Sequence, residues 1–147
     1  MKYILYLFFF GIITTQAQTD YNTKKGFVAE GYDVVSYFDN KAVEGHKDFT
    51  TTHDGAKYKF ESLTHLNTFK ANPNKYVPQY GGYCAYAVAE KGKKVSIDPE
   101  TFEIRDNKLY LFYNSWGNNT LESWLEEDVN GLIKKADHSW KTIGKED

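Results

Sequence analysis

The chain has 147 residues, and its 18 basic and 20 acidic side chains give a formal net charge of −2. This near-neutral balance offers no electrostatic attraction to nucleic acid or to an acidic membrane surface. The length fits one domain of ordinary size, large enough to bury a core without disulfide staples. A single cysteine, Cys84, excludes an intrachain disulfide.

The N-terminal segment is typical of a cleavable export signal. Lys2 supplies a basic start, residues 3–13 form an uncharged apolar run, and Thr15 and Ala17 place small residues two apart. The apolar run is too short to span a bilayer comfortably. We therefore expect cleavage after Ala17, no stable membrane insertion afterwards, and a periplasmic or secreted protein. A membrane anchor that is never cut is the alternative.

Beyond the signal, the chain divides into three parts. We expect a flexible arm over residues 18–30, a single domain over residues 31–140 and a short tail over residues 141–147. The first ordered element spans residues 31–38, where Asp33 is placed to accept hydrogen bonds from the amides of a short helical turn.

A β-hairpin is predicted next. The β-branched residues of segment 49–53 are followed by Asp54 and Gly55, and then by the segment 56–60. Asp-Gly between two such runs favours a two-residue turn, because both turn positions need a positive φ. Tyr58 and Phe60 share one face of the second strand, which indicates that this strand is half-buried.

A helix follows the hairpin. Ser62 is a plausible N-cap, and Leu66 and Phe69 give the segment an inward face. Pro73 ends this helix, and we expect one more helical turn up to Tyr76.

A glycine-rich loop lies between tyrosines further along the chain. Gly81 and Gly82 permit a left-handed backbone and the close approach of a ligand. The candidate ligand-binding residues in this loop are Tyr80, Gly81, Gly82, Tyr83, Cys84 and Tyr86. The alternative is a rigid turn whose rings close the core.

The last third of the chain predicts a second hairpin and terminal helices. Residues 102–105 and 109–113 alternate as strands around Asp106 and Asn107, and residues 121–136 form one or two helices, with a possible break at Gly131. The resulting fold class is α+β: a small single domain in which β-hairpins pack against short helices.

The segment Tyr58-x-Phe60-x-Ser62-x-x-His65-x-x-x-Phe69-x-x-x-Pro73-x-x-Tyr76 resembles the YHS domain. Outside it, the chain is similar to the small exported YHS-domain proteins of bacteria in three further segments, which are Gly31-Tyr32-Asp33 with Tyr37-Phe38, residues 78–85, and Lys135-Ala136-Asp137-x-x-Trp140. The resemblance covers the chain from about Gly31 to Trp140. It implies a YHS-like core with C-terminal helices.

The resemblance also implies a distant relation to TRASH-type metal modules, which carry a Cys-x-x-x-Cys pair after the second strand. This chain departs from that pattern, because the matching positions hold Glu61 and His65 and an earlier cysteine position falls near Ser36. The candidate metal ligands are therefore Glu61, His65 and Cys84, a mixed set that suits zinc or copper.

Three functions remain open from the sequence. The first is an exported, non-enzymatic YHS-type module that binds a transition metal ion or a small molecule near the Gly-Gly-Tyr-Cys loop. The second is a structural or protein-interaction module with Cys84 as a buried core residue. The third is a Cys84-dependent redox or hydrolytic enzyme, which needs a thiol of lowered pKa next to a base.

Overall fold

The computed structural model describes residues 18–145. The predicted export signal, residues 1–17, lies outside the described residues. Within residues 18–145, none of the helices has the length and apolar character needed to cross a bilayer.

Eight strands and five α-helices make up the described chain. The strands are β1 (Thr23–Lys24), β2 (Phe27–Val28), β3 (His46–His53), β4 (Ala56–Phe60), β5 (Asp98–Arg105), β6 (Lys108–Phe112), β7 (Asn114–Ser115) and β8 (Asn118–Asn119). The helices are α1 (Leu63–Ala71), α2 (Pro73–Tyr76), α3 (Ala85–Lys91), α4 (Thr120–Glu126) and α5 (Val129–Ile143). The predicted α+β class is confirmed.

The strands form one four-stranded sheet and two separate hairpins. The sheet has the order β1-β2-β4-β3, in which only β2 and β4 run parallel. Strands β5 and β6 pair antiparallel, and so do β7 and β8.

The hairpin β3–β4 and helix α1 form as predicted. Asp54 and Gly55 have φ values of 49° and 77°, the left-handed geometry that the two-residue turn requires. Tyr58 and Phe60 are fully buried on the inner face of β4. Helix α1 begins where the Ser62 hydroxyl accepts a hydrogen bond from the His65 amide. His65 is thereby fixed in the first turn of α1.

Strand β6 separates two hydrophobic cores. Leu109 and Leu111 point into the core beneath β4 and α1, whereas Tyr110 and Phe112 point into the core formed by α3, α4 and α5. Successive side chains of a strand face opposite sides, so one short strand contributes to both cores. Cys84 lies in the first of these cores.

The boundaries expected for the arm and the tail are corrected by the structure. The segment 18–30 contains β1 and β2, and Val28 is fully buried. The Asp20 amide donates to the Gly144 carbonyl at 3.1 Å, and helix α5 continues to Ile143, beyond the expected end of the domain at residue 140. Both ends of the described chain therefore belong to the folded body, because their backbone groups pair with each other.

The predicted break at Gly131 is also corrected. The chain leaves the helical conformation at Glu127 and Asp128, and Gly131 lies inside α5. A Cβ at Gly131 would come within 2.6 Å of the Asp128 carboxylate. The glycine allows the start of α5 to pack closely against Asp128, so it accommodates a neighbour instead of ending a helix.

Candidate metal site

A buried carboxylate, Asp33, lies at the centre of the candidate site. Its amide donates to the Val43 carbonyl at 2.8 Å, which fixes the backbone between β2 and the 3₁₀ turn at Ser36–Asp39. Its Oδ1 accepts hydrogen bonds from the amides of Val35 and Ser36 at 2.8 and 3.3 Å. Asp33 thus accepts hydrogen bonds from the amides that lead into this turn, as the sequence predicts.

The second oxygen of Asp33 binds groups from a distant part of the chain. Oδ2 accepts a hydrogen bond from the Glu61 amide at 2.9 Å and lies 2.7 Å from Nδ1 of His65. A carboxylate that is ionised only accepts hydrogen bonds, and His65 donates to it in the tautomer that carries the ring proton on Nδ1. Asp33 is fully buried, and its two oxygens take part in four hydrogen bonds.

Glu61 adds a second carboxylate. It precedes the N-cap Ser62 and therefore lies outside α1. Its amide is held by Asp33, and its Oε1 lies 3.5 Å from Nδ1 of His65. The Glu61 side chain is 40% exposed and that of His65 is 18% exposed, so the cluster lies at the surface while Asp33 forms its floor.

Asp33, Glu61 and His65 each offer one ligand atom, and these three atoms lie within 4.8 Å of one another. This is the one group of three or more histidine, cysteine or acidic side chains with that spacing among residues 18–145. Two of its members, Glu61 and His65, were predicted as ligands. Asp33 was predicted only as a helix cap. The sequence feature that could have identified it as a ligand is that a capping carboxylate has a second oxygen, which can bind another group.

Cys84 does not join Glu61 and His65. It is fully buried, its amide donates to the Val95 carbonyl at 2.9 Å, and its Sγ lies 3.3 Å from the Thr120 hydroxyl. The predicted set of Glu61, His65 and Cys84 is therefore divided by the fold, since Cys84 packs in the core and Asp33 stands in its place.

Burial of Cys84 predicts an unreactive thiol. In the native protein we expect the reaction with a disulfide reagent such as DTNB to be at least about 100-fold slower than in 6 M guanidinium chloride, because the thiolate must be exposed to attack. Absorbance at 412 nm follows the reaction. Equal rates in the two solutions would contradict the buried placement.

The predicted ligand loop is a strained turn whose side chains contact other parts of the chain. Tyr80, Gly81 and Gly82 have φ values of 55°, 60° and 81°. The hydroxyls of Tyr80, Tyr83 and Tyr86 donate to carboxylates elsewhere in the chain, which are those of Asp137, Asp20 and Glu127 respectively.

Burial and contacts with these carboxylates raise the pKa values of the three tyrosines. Burial and the Asp20 carboxylate raise the pKa of Tyr83 to about 12. The hydrogen bond to Glu127, followed by burial, raises the pKa of Tyr86 to about 12. The pKa of Tyr80 rises through burial first and then through Asp137. The three hydroxyls are thus protonated, and their hydrogen bonds connect the loop to other segments of the chain.

Tyr80 and Gly81 also line a cavity of about 300 Å³, together with Asp137 and Trp140. The rings of Tyr80 and Tyr83 lie 6.2 and 6.1 Å from that of Trp140. The loop therefore holds α5 and the N-terminal segment together, while Asp33, Glu61 and His65 lie in a separate cluster.

Comparisons with protein-family models, with curated proteins and with solved structures found no match. The YHS domain thus stays an expectation from the sequence motifs.

Proposed function

We propose that this chain is a non-enzymatic module that binds a divalent transition metal ion, zinc or copper, at Asp33, Glu61 and His65. The observation that carries the proposal is the convergence of one imidazole nitrogen and two carboxylate oxygens within 4.8 Å. Nitrogen and oxygen ligands of this kind suit both metals. Glu61 and His65 also stand at the positions that the resemblance assigns to metal ligands.

The two distances from His65 Nδ1 to the carboxylate oxygens bracket the spacing that such an ion requires. In a tetrahedral site with bonds of 2.0–2.1 Å, neighbouring ligand atoms lie about 3.3 Å apart. Nδ1 of His65 lies 3.5 Å from Glu61 and 2.7 Å from Asp33. An ion would displace the Nδ1 proton and widen the shorter contact by about half an ångström.

Asp33 is suited to be the fixed ligand. Backbone amides of Val35, Ser36 and Glu61 hold its two oxygens. Hydrogen bonds of this kind orient a ligating carboxylate and are needed for metal affinity. Three protein ligands would leave one coordination position for water or for a small molecule.

A second candidate function is a structural or interaction module that binds no metal. The observation in its favour is that the contact between Asp33 and His65 already satisfies both groups as a hydrogen bond. We do not propose the Cys84-dependent enzyme, because the polar partner of Sγ is the Thr120 hydroxyl, which is not a base that activates a thiol.

The test is a zinc titration by calorimetry, with elemental analysis of the purified chain lacking residues 1–17. We expect one zinc ion per chain in the wild type and in Cys84→Ala. His65→Ala should bind zinc about 100-fold or more weakly than the wild type. Removal of a metal ligand is expected to lower the affinity at least as much as removal of a group that only orients a ligand.

A matched control comes from a second histidine–aspartate pair, because His46 Nδ1 lies 3.4 Å from Asp48 at an exposed position. His46→Ala should therefore bind zinc like the wild type. If His65→Ala binds zinc as tightly as the wild type, the zinc site lies outside this cluster. Absence of zinc and copper from every variant, even after loading, would favour the module that binds no metal.

A further inference from the structure

A cavity of about 440 Å³ opens beside His65. This open cavity is lined by residues of helices α1 and α2, of the 3₁₀ turn at Ser36–Asp39 and of the β5–β6 hairpin. Its volume lies within the range of about 300–1,000 Å³ that is usual for small-molecule sites. His65 is the one member of the metal cluster among the residues that line it.

One part of the cavity wall is apolar, although most of the lining is polar. Phe38 and Tyr76 form one side with their rings in edge contact, 5.1 Å between centroids, and Ile104 contributes from β5. Such walls favour a ligand with an apolar body, because its transfer from water is favourable in proportion to the area covered.

One cation, Lys75, lines the same cavity. Its Nζ lies 5.7 Å from the ring centroid of Phe38 and 5.1 Å from that of Tyr76. In the part of the chain that the structure describes, no acidic group pairs with Lys75. The two rings therefore position an ammonium group whose hydrogen-bonding capacity is not used by a carboxylate of residues 18–145.

Further hydrogen-bond donors line the same cavity. Thr64 and Thr68 lie one turn apart on α1, and Asn107 lies in the β5–β6 turn. Over residues 18–145, the side chains of these three residues make no hydrogen bond within the protein. Donors next to an ammonium group match the acceptor oxygens of an anion.

We propose that this cavity binds a small monocarboxylate with an aromatic or branched apolar body. Its carboxylate group pairs with Lys75, and its apolar part packs against Phe38, Tyr76 and Ile104. The inference goes beyond metal binding and does not depend on it, since none of these contacts requires an ion.

Asp39 lines the cavity as well and is exposed. Its negative charge opposes a carboxylate ligand, so the proposal makes a second prediction of opposite sign. Neutralising Lys75 should weaken binding, and neutralising Asp39 should strengthen it. If the cavity bound its ligand through apolar contacts alone, neither substitution would change the binding affinity.

The test uses 3-phenylpropionate as the probe and its neutral amide as the comparison, titrated into EDTA-treated protein and followed by amide shifts in NMR spectra. We expect the carboxylate to bind at least about tenfold more tightly than the amide, the effect of one charge-assisted hydrogen bond. Lys75→Met should remove this preference, and Asp39→Asn should strengthen carboxylate binding about two- to fivefold.

The control is Lys134→Met, which removes an exposed lysine on α5 outside the cavity. Equal affinities for acid and amide in the wild type, or an unchanged preference in Lys75→Met, would overturn the proposal. If neither probe binds at a concentration of about 10 mM, any affinity of the cavity for these probes is too weak for a binding site, and the proposal is overturned as well. Because EDTA removes the ion, neither result depends on the metal proposal.

Discussion

Asp33→Ala is expected to lower the free energy of unfolding by about 3–5 kcal/mol, measured by urea unfolding followed with circular dichroism. The substitution removes the acceptor of three backbone amides, those of Val35, Ser36 and Glu61, and of His65 Nδ1. Asp33 is fully buried, so water does not replace all of these contacts without a change in structure. Buried donors that lose their acceptor carry the full cost of their desolvation.

Two substitutions separate this effect from the loss of a charge alone. Asp33→Asn keeps an oxygen for the Val35 and Ser36 amides but turns an NH₂ group toward the Glu61 amide, so we expect a smaller loss of about 1–3 kcal/mol. Asp48→Ala removes the exposed partner of His46 and should change stability by less than about 0.5 kcal/mol. A loss for Asp33→Ala as small as that for Asp48→Ala would contradict the network.

The second large effect is expected at Gly81. Its φ is +60°, and a Cβ there would collide with the Asp20 carbonyl oxygen and contact the ring of Trp140 at 3.1 Å. Gly81→Ala should therefore cost about 3 kcal/mol, of which about 1–2 kcal/mol is the left-handed backbone and the rest the displacement of neighbours.

The same substitution should release the N-terminal segment. Asp20 lies against Gly81, and the Asn22 amide donates to the Gly81 carbonyl at 2.9 Å. We expect faster hydrogen exchange at the amides of Asp20 and Asn22, because their partners move when the loop shifts.

Gly117 provides the matched control for Gly81. Its φ is +74°, but a Cβ there would meet no atom within 4 Å. Gly117→Ala should carry the backbone cost alone, about 1–2 kcal/mol. Similar losses for the two alanine variants would show that the space around Gly81 contributes little, and that the strain of the turn is the whole effect.

The local elements of this protein follow from its sequence alone. Asp54-Gly55 defines the β3–β4 turn because both positions are left-handed, and Ser62 begins α1 because its hydroxyl accepts the His65 amide. Asp33 accepts hydrogen bonds from the amides that lead into its turn for the same kind of reason. These features depend on contacts within about four residues, so composition and spacing are enough to predict them.

Residues outside such local motifs were placed less well by the sequence. The segment 18–30 begins with the polar residues 18–25 and is predicted as a flexible arm, yet its backbone pairs with Gly81 and Gly144. The sequence left Cys84 open as a metal ligand or as a buried core residue, and the structure buries it fully in contact with Val95 and Thr120. In both cases the partners are far away along the chain, where periodicity carries no information.

The candidate site depends both on a local sequence motif and on tertiary packing. Glu61 and His65 are four residues apart, so the sequence alone identifies them as a pair of ligand-type side chains. Asp33 reaches them across 28 and 32 residues of chain, and only the packing of the turn that follows β2 against the start of α1 brings its second oxygen to both. The tertiary structure therefore decided the third member of the cluster, because the free oxygen of a local cap is satisfied by whichever donors the fold places beside it.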